Sequence, residues 1–314
     1  MTAPGRVAIV EVGPRDGLQN ETAVLTTADR VRFVDALSAA GHRVIEVSAF
    51  VSPKWVPQMA DAEAVFAAIT RRPGVRYTAL TPNLAGLDRA LAARVDEVAV
   101  FAAASERFSV ANLNQTIDQS LARYAEVTRR ALDAGLPVRG YVSCAFGCPL
   151  EGAVAVDAVI RVTRALLDQG VYEVAVSDTI GVAHPGQVRD LLAALGAAGI
   201  PTASQALHFH DTRGTALANV LAALDAGVTT FDASAGGLGG CPFAPGASGN
   251  LATEDLLYML DGLGVETGVS IDAVTAASAA LAPRLAHPPR SRYVQAVTAA
   301  RTSPDPPATA PPSR

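Results

Sequence analysis

Short runs of apolar residues alternate along the chain with longer stretches in which alanine and leucine recur at helical spacing. The apolar runs lie at residues 7–12, 44–47, 76–80, 97–101, 138–143, 173–177, 206–209 and 230–232, and we expect them to form strands. The helical stretches lie at residues 28–40, 60–69, 84–93, 117–134, 154–169, 186–198, 215–226 and 253–263. Several strand runs are apolar throughout, as strands covered on both faces are. Eight strand–helix units in this order predict a (β/α)₈ TIM barrel.

Glycine follows many of the helical stretches, where it can end a helix and turn the chain toward the next strand. These glycines are Gly41, Gly135, Gly170, Gly199 and Gly227. After the eighth unit, residues 271–285 predict one more amphipathic helix, which we expect to pack across the barrel. Residues 302–314 are rich in Pro, Ser and Ala and predict a disordered tail. We therefore expect one domain over residues 1–301.

A doubly wound parallel sheet is the competing architecture, because it also alternates strands and helices. Such a fold that binds a dinucleotide places a G-x-G-x-x-G turn after its first strand. Here the first strand is followed by the sequence GPRDG at residues 13–17. This difference, together with the eightfold count, favours the barrel.

Composition limits the classes of partner. The 314 residues are 50% hydrophobic and 18% charged, with a formal net charge of −5, so we expect no binding to nucleic acid or to an acidic membrane surface. The apolar stretches are interrupted well before the ~20 residues that a membrane span needs.

No secretion signal is recognisable at the N-terminus. Three cysteines in a chain of this size indicate a reducing compartment, and we expect the cytoplasm.

Polar residues follow the strands at many points. In a (β/α)₈ barrel the carboxyl ends of all strands open into one mouth, so side chains from distant parts of the chain converge there. The candidates are Arg15, Asp16, Gln19, Glu46, Ser48, Ser105, Glu106, Ser143, Cys144, Asp178, Thr179, His208, His210 and Asp211.

The sequence His208-Phe209-His210 is the sharpest local signal. Side chains at i and i+2 of a strand share a face, so both imidazoles are expected to point into the mouth. Two imidazoles and the carboxylate of Asp16 suit a divalent cation. Two buried histidines with structural hydrogen bonds are the alternative, but the facing aspartate favours the metal.

A glycine-rich segment, residues 236–250, follows the eighth strand. It contains Cys241 and ends at Asn250. The segment is either a flexible surface loop or a lid that brings groups to the site and excludes water. In a lid, the Asn250 amide oxygen can be a fourth metal ligand, and Cys241 can transfer a proton; otherwise Cys241 is a buried thiol.

Arg15 either forms an ordinary ion pair or stabilises an enolate or carboxylate in the mouth. Glu46 could serve as a structural acceptor for this arginine, and the structural and catalytic roles are both open. Cys144 and Cys148 lack partners for a zinc site and are expected to be small core residues.

Taken together, the motifs resemble the 3-hydroxy-3-methylglutaryl-CoA lyase family. The segments that carry the resemblance are residues 10–21 (VEVGPRDGLQNE), 50–59 (FVSPKWVPQM), 80–83 (LTPN), 139–144 (RGYVSC), 177–182 (SDTIGV), 208–212 (HFHDT), 237–242 (GLGGCP) and 246–255 (GASGNLATED). The resemblance runs from about residue 6 to residue 268. An Arg-Asp pair and an HxH strand also occur in related synthases and aldolases, and the glycine-rich segment separates the lyases from them.

The resemblance implies a metal-dependent carbon–carbon lyase that cleaves 3-hydroxy-3-methylglutaryl-CoA to acetoacetate and acetyl-CoA in leucine degradation. By position, Mg²⁺ or Mn²⁺ would be bound by Asp16, His208, His210 and Asn250. Arg15 would stabilise the enolate that forms on the thioester, and Cys241 would donate or accept a proton. Glu46 and Asp178 would support the site by hydrogen bonding. A homodimer or higher homo-oligomer is expected, since dimers are the commonest closed assembly.

Four positions depart from the family pattern: Thr22, Ala49, Arg213 and Pro245. They lie near the substrate end of the motifs, so the acyl group stays open. A lyase for a citramalyl-type or isohexenylglutaryl-type ester is the first alternative. The second is a metal-binding barrel without catalysis, which the intact set of polar residues disfavours.

Overall fold

Eight parallel strands close into a barrel in the computed structural model, which describes residues 5–240 and 249–302. The strands are β1 (Ala8–Glu11), β2 (Val44–Ala49), β3 (Arg76–Leu80), β4 (Glu97–Ala103), β5 (Val138–Ser143), β6 (Glu173–Asp178), β7 (Gln205–Phe209) and β8 (Thr230–Ala233). Each strand pairs with the next along the chain, and β8 pairs with β1. The predicted TIM barrel is confirmed. All eight predicted strands are present, with ends that differ by at most two residues.

Helices surround the barrel. They are α1 (Thr27–Ala39), α2 (Ala62–Ala68), α3 (Leu84–Ala92), α4 (Glu106–Leu113), α5 (Ile117–Asp133), α6 (Val156–Asp168), α7 (Pro185–Ala197), α8 (Ala216–Asp225), α9 (Thr253–Gly262), α10 (Ile271–Leu281) and α11 (Arg292–Thr302). The eight helical stretches predicted to follow the strands are all present. The five glycines expected to end helices all have positive φ, for example 104° at Gly41 and 89° at Gly227.

The sequence interpretation missed α4. Its start is capped by Ser105, whose hydroxyl accepts the Phe108 N–H at 3.1 Å, and its end is the left-handed Asn114. Serine before a helix and asparagine after it are ordinary end signals. The carboxylate of Glu106 accepts the Ile117 N–H at 3.2 Å. Ser105 and Glu106 therefore stabilise helix ends rather than line the mouth.

The extra helix predicted after the eighth unit is α10, and a short 3₁₀ turn, Ala282–Arg284, follows it. It packs in the outer ring against α1 and α9, with the Ser270 N–H donating to the Ala40 carbonyl at 2.8 Å. The expectation that it crosses the barrel is wrong, because its neighbours are α1, α9 and the turn Ala235–Gly237 after β8. Its apolar residues Val274 and Leu281 are buried in the main core.

The chain remains helical to Thr302, where a disordered tail was expected to begin. The rest of that expected tail, residues 303–314, lies outside the described residues. Among the helices described, none has the length and apolar character needed to cross a membrane.

The barrel strands bury both an apolar cluster and a charged pair. Val10, Val12 and Val44 form a buried cluster. Arg139 of β5 is 1% exposed and forms an ion pair of 2.8 Å with Asp232 of β8. Since β5 and β8 are not neighbours, this pair spans the interior of the barrel and links two strands whose ends contribute to the mouth.

Candidate metal centre at the barrel mouth

A tight turn after β1 presents Arg15 and Asp16. The N–H groups of Arg15, Asp16 and Gly17 all lie within 3.1 Å of the Val12 carbonyl oxygen, which closes the turn Gly13–Gly17. Gly17 is required by close packing, because a Cβ there would lie 2.8 Å from the Ser234 hydroxyl. The motif GPRDG thus builds a compact platform for the two charged side chains.

Asp16, His208 and His210 converge at the mouth. One ligand atom from each residue lies within 4.8 Å of the others, and Asp16 Oδ2 is 3.9 Å from His208 Nε2. The two imidazole rings lie on the same side of the chain, with centroids 5.3 Å apart. The i, i+2 spacing on β7 therefore brings both imidazoles into the mouth, as the sequence predicts.

Asn250 joins this group from the far end of the loop after β8. Its Nδ2 donates to Asp16 Oδ2 at 2.8 Å and to the Leu238 carbonyl at 3.0 Å. Both neighbours are acceptors, so the orientation of the amide is fixed. The buried Oδ1 is left without a hydrogen-bond partner among the described residues.

These donors fit a divalent cation. Carboxylate and amide oxygens are ligand types that suit Mg²⁺ and Mn²⁺, and the two imidazoles add nitrogen ligands of the kind that bind divalent transition metals. Besides Asn250 Oδ1, the buried His210 Nδ1 also lacks a described partner. Unpaired buried polar atoms are costly, and a cation in the group would remove that cost for any such atom that it binds.

Asp232 orients one of the two histidines. Its Oδ2 lies 3.1 Å from His208 Nδ1, which leaves Nε2 facing Asp16. A carboxylate behind a histidine in this way fixes the tautomer and strengthens the imidazole as a ligand. Asp232 is in turn held by Arg139.

The charges around the group favour the metal-binding forms of Asp16 and His210. Burial raises the pKa of Asp16, but the positive charges of Arg15 and His208 outweigh burial and lower the pKa to about 2. Burial, reinforced by His208, lowers the pKa of His210 to about 4. Burial also lowers the pKa of His208, but the hydrogen bond and charge of Asp232 prevail and leave it above its usual value. Asp16 is thus ionised and His210 neutral at neutral pH.

Arg15 is held by two carboxylates. Its Nε donates to Glu46 Oε2 at 2.6 Å and its Nη1 to Asp16 Oδ1 at 2.6 Å. The guanidinium also lies over the ring of Tyr141, 5.5 Å from the centroid. Nη2 has no acceptor within the described part of the chain and remains available to a ligand. Glu46 therefore has the structural role, as hydrogen-bond acceptor for Arg15, which was one of the two roles left open by the sequence.

The group opens into a cavity of about 590 Å³. Arg15, Asp16, His208 and His210 form a polar floor. Apolar side chains provide much of the remaining wall: Val51, Trp55, Val56, Leu80, Pro82, Phe101, Phe108 and Leu113. Such a cavity can take a ligand with a charged head and an apolar body.

Comparison with known proteins now identifies the family. The HMGL-like family model matches residues 6–281. The 3-hydroxy-3-isohexenylglutaryl-CoA/hydroxy-methylglutaryl-CoA lyase of Pseudomonas aeruginosa is 51% identical and covers 95% of this chain and 99% of that protein. The chain belongs to the HMGL-like family. It is an enzyme of the carbon–carbon lyase class.

Solved structures of HMGL-like proteins share the whole fold. The crystal structure of hydroxymethylglutaryl-CoA lyase from Pseudomonas aeruginosa has a TM-score of 0.93 at 51% identity, covering 95% of this chain and 99% of that one. An HMG-CoA lyase from Acinetobacter baumannii, solved with coenzyme A and 3-methylmalate, has a TM-score of 0.89 at 37% identity and covers 100% of both chains. The match of the HMGL-like family includes every residue of the metal group.

Two other residues that the sequence placed in the site are Asp178 and Cys241. Asp178 is fully buried, and its carboxylate accepts the N–H groups of Val182 at 2.9 Å and Ala183 at 3.0 Å. It shapes the loop after β6. His208 is close enough to act on its pKa through charge, but no hydrogen bond or ion pair joins Asp178 to Asp16 or the histidines among the described residues. Cys241, expected to donate or accept a proton, lies outside the described residues, as does Pro245.

Several other residues at strand ends hydrogen-bond to neighbouring helices or pack in the core instead of joining the metal group. A register shift in the pairing of β2 with β3 separates Glu46 from Ser48, and the Ser48 hydroxyl contacts Arg30 of α1 at 3.3 Å. Asp211 accepts the Ala216 N–H at the start of α8. Cys144 and Cys148 are buried in a small apolar cluster with Phe108, as expected of core residues.

Sequence reasoning missed the supporting residues Asp232, Arg139 and Tyr141. Tyr141 donates toward Glu46 Oε2 at 3.4 Å and receives Arg139 Nη1 at 3.0 Å. Each is a polar residue inside an otherwise apolar strand run, and that signal could have identified them, because such residues are rarely buried without partners.

Proposed function

We propose that this protein cleaves 3-hydroxy-3-methylglutaryl-CoA to acetoacetate and acetyl-CoA with the help of a bound divalent cation. The observation that carries the proposal is the convergence of Asp16, His208, His210 and Asn250 beside the available Nη2 of Arg15. Relatives that are named for this reaction, at about half identity over nearly the whole chain, support it.

The reaction is a retro-Claisen cleavage. The C3 hydroxyl loses its proton and the C2–C3 bond breaks. The electron pair of the broken bond moves to the thioester and forms an enolate, which then takes up a proton at C2. Arg15 has one guanidinium nitrogen free for the thioester oxygen and two fixed by Glu46 and Asp16. A donor held in place before charge develops is an effective stabiliser of an enolate.

A cation held by Asp16, His208, His210 and Asn250 would acidify the C3 hydroxyl. The carboxylate and amide oxygens suit both Mg²⁺ and Mn²⁺, and we propose either as the resident ion. Cys241 is the proposed partner for the proton at C2, on the segment that connects Gly240 to Gly249. Asn20 anchors the start of this segment by donating to the Gly240 carbonyl at 2.9 Å.

The substrate is proposed to be a coenzyme A thioester, as the ligand of the Acinetobacter baumannii structure suggests. We also propose a homodimer or higher homo-oligomer, and the cytoplasm as the compartment on the basis of the low cysteine content.

A second candidate is a lyase for esters with a longer apolar group at C3. The apolar wall supports it: Phe101 and Phe108 line the cavity, and Trp55 at its rim is 86% exposed. The Pseudomonas aeruginosa relative is named for both kinds of ester.

A substrate panel tests both candidates. Purified protein is incubated with Mg²⁺ and 3-hydroxy-3-methylglutaryl-CoA or its isohexenyl analogue, and acetyl-CoA or the corresponding thioester product is measured, with and without a chelator. We expect chelator-sensitive cleavage of 3-hydroxy-3-methylglutaryl-CoA well above that of a Cys241→Ala control. A higher kcat/KM on the isohexenyl ester would establish the second candidate, and no cleavage of either would refute both.

A further inference from the structure

Glu11, the last residue of β1, forms a buried bridge between two loops. Its carboxylate is 0% exposed. Oε1 accepts the N–H of Gly13 at 2.8 Å and the N–H of Ala235 at 2.9 Å, and Oε2 accepts the hydroxyl of Thr253 at 2.7 Å. One side chain thus contacts segments that are more than 220 residues apart in sequence.

The three donors lie on the two loops that deliver oxygen ligands to the metal group. Gly13 begins the turn that carries Asp16. Ala235 begins the loop after β8, and Thr253 follows Asn250 where that loop ends at α9. Asp16 and Asn250 then meet directly, with Asn250 Nδ2 donating to Asp16 Oδ2.

We propose that Glu11 is a positioning residue that fixes the separation of Asp16 and Asn250 and so sets the affinity of the metal centre. Glu11 itself contacts neither a metal ligand nor the cavity. The inference rests on the metal centre of the proposed function. It adds that a buried residue behind this centre sets the distance between two of the metal ligands.

The length of the side chain is what the bridge needs. A Cβ on Gly13 would lie only 2.6 Å from Glu11 Oε1, so the carboxylate is packed tightly against the first loop while it reaches the second. Aspartate is one methylene shorter and cannot hold both loops at these distances. Glutamine has the same length and keeps an oxygen for the two N–H groups. Burial also raises the pKa of Glu11 to about 8, so the carboxyl is largely uncharged at neutral pH, as a carboxamide is.

The test is a titration with Mn²⁺ alone, followed by the electron paramagnetic resonance of the free ion. Glu11→Asp is expected to weaken Mn²⁺ binding by about 10- to 100-fold, the usual effect of losing support behind a metal ligand. The Mn²⁺ affinity of Glu11→Gln is expected to stay within about threefold of wild type, a far smaller change than the loss expected for Glu11→Asp. A residue that only stabilises the fold would not give this difference between the two substitutions.

Glu97→Asp provides a matched control. Glu97 is equally buried, but it lies at the amino end of β4, where it accepts Arg76 Nη1 at 2.8 Å and the Tyr172 hydroxyl at 3.0 Å. This variant should lower the melting temperature without weakening Mn²⁺ binding. If Glu11→Asp fails to fold, Thr253→Val removes one arm of the same bridge and should weaken binding, and Thr253→Ser should restore it.

Wild-type affinity in folded Glu11→Asp, or equal losses in Glu11→Asp and Glu11→Gln, would overturn the positioning role and leave the metal centre intact. Absence of Mn²⁺ binding by the wild-type protein would overturn both proposals.

Discussion

Asn250 Nδ2 donates to Asp16 Oδ2 at 2.8 Å, although 234 residues separate the two in sequence. This bond uses the amide nitrogen and leaves the buried amide oxygen without a described partner. The contact therefore joins the first and last loops of the barrel at the metal group.

Asn250→Ala should weaken divalent cation binding, because it removes that oxygen and the donor to Asp16. We expect Mn²⁺ affinity to fall by about tenfold or more, measured by calorimetric titration. Asn219→Ala is the control. Asn219 of α8 is also buried with an unpartnered Oδ1, but its Nδ2 donates to the Ala183 carbonyl rather than to a residue of the metal group. Equal losses of affinity in the two variants would contradict the assignment of Asn250.

Arg15→Lys should lower kcat for thioester cleavage by roughly 100- to 1000-fold. Lysine keeps the charge but cannot bind Glu46 and Asp16 while also presenting a third nitrogen to the substrate. Stopped-time assays of acetyl-CoA release, together with Mn²⁺ titration, would measure this. Arg71→Lys at the exposed pair with Asp96 should leave kcat unchanged, and an active Arg15→Lys enzyme would exclude the enolate role.

Asp232→Asn should weaken metal binding by about 10- to 100-fold, because His208 would lose the carboxylate that fixes its tautomer. The matched control is Glu173→Gln, which alters the other carboxylate bonded to Arg139 without touching His208. Both variants should be less stable than wild type, since each disturbs the buried charges around Arg139. Mn²⁺ titration should separate them, and similar affinities would argue against orientation by Asp232.

Glu11 makes stability depend on pH in a defined direction. Its pKa is raised to about 8 by burial, so between pH 4.5 and 8 the folded protein holds a proton that the unfolded chain has released. Stability from this group is complete below pH 4.5 and decreases as the pH rises to 8, by at most about 1.4 kcal/mol per pH unit. Urea unfolding of wild type and Glu11→Gln across this range should show wild type losing stability relative to the variant. Parallel curves would show that Glu11 does not titrate in this way.

Much of the site could be predicted from the sequence alone. The periodicity of apolar residues predicted eight strands and eight helices, because parallel strands covered on both faces must be apolar throughout. Local spacing predicted that His208 and His210 share a face, and the carboxyl ends of the strands indicated which polar residues could reach one mouth.

The placement of Ser48 could not be predicted in the same way. Ser48 follows Glu46 at a spacing that places both on one face of a regular strand, but the register shift between them turns Ser48 toward Arg30. Such shifts depend on pairing with the neighbouring strand, which a single segment does not reveal.

The sequence by itself determined the barrel, the turn that carries Arg15 and Asp16, and the paired histidines, because these follow from short-range periodicity and local backbone geometry. Only the tertiary structure decided that Asp232 orients His208, that Glu46 holds Arg15 and that Glu11 bridges the first and last loops. Those roles depend on contacts between residues far apart in the chain, and closure of the barrel is what brings them within hydrogen-bonding distance.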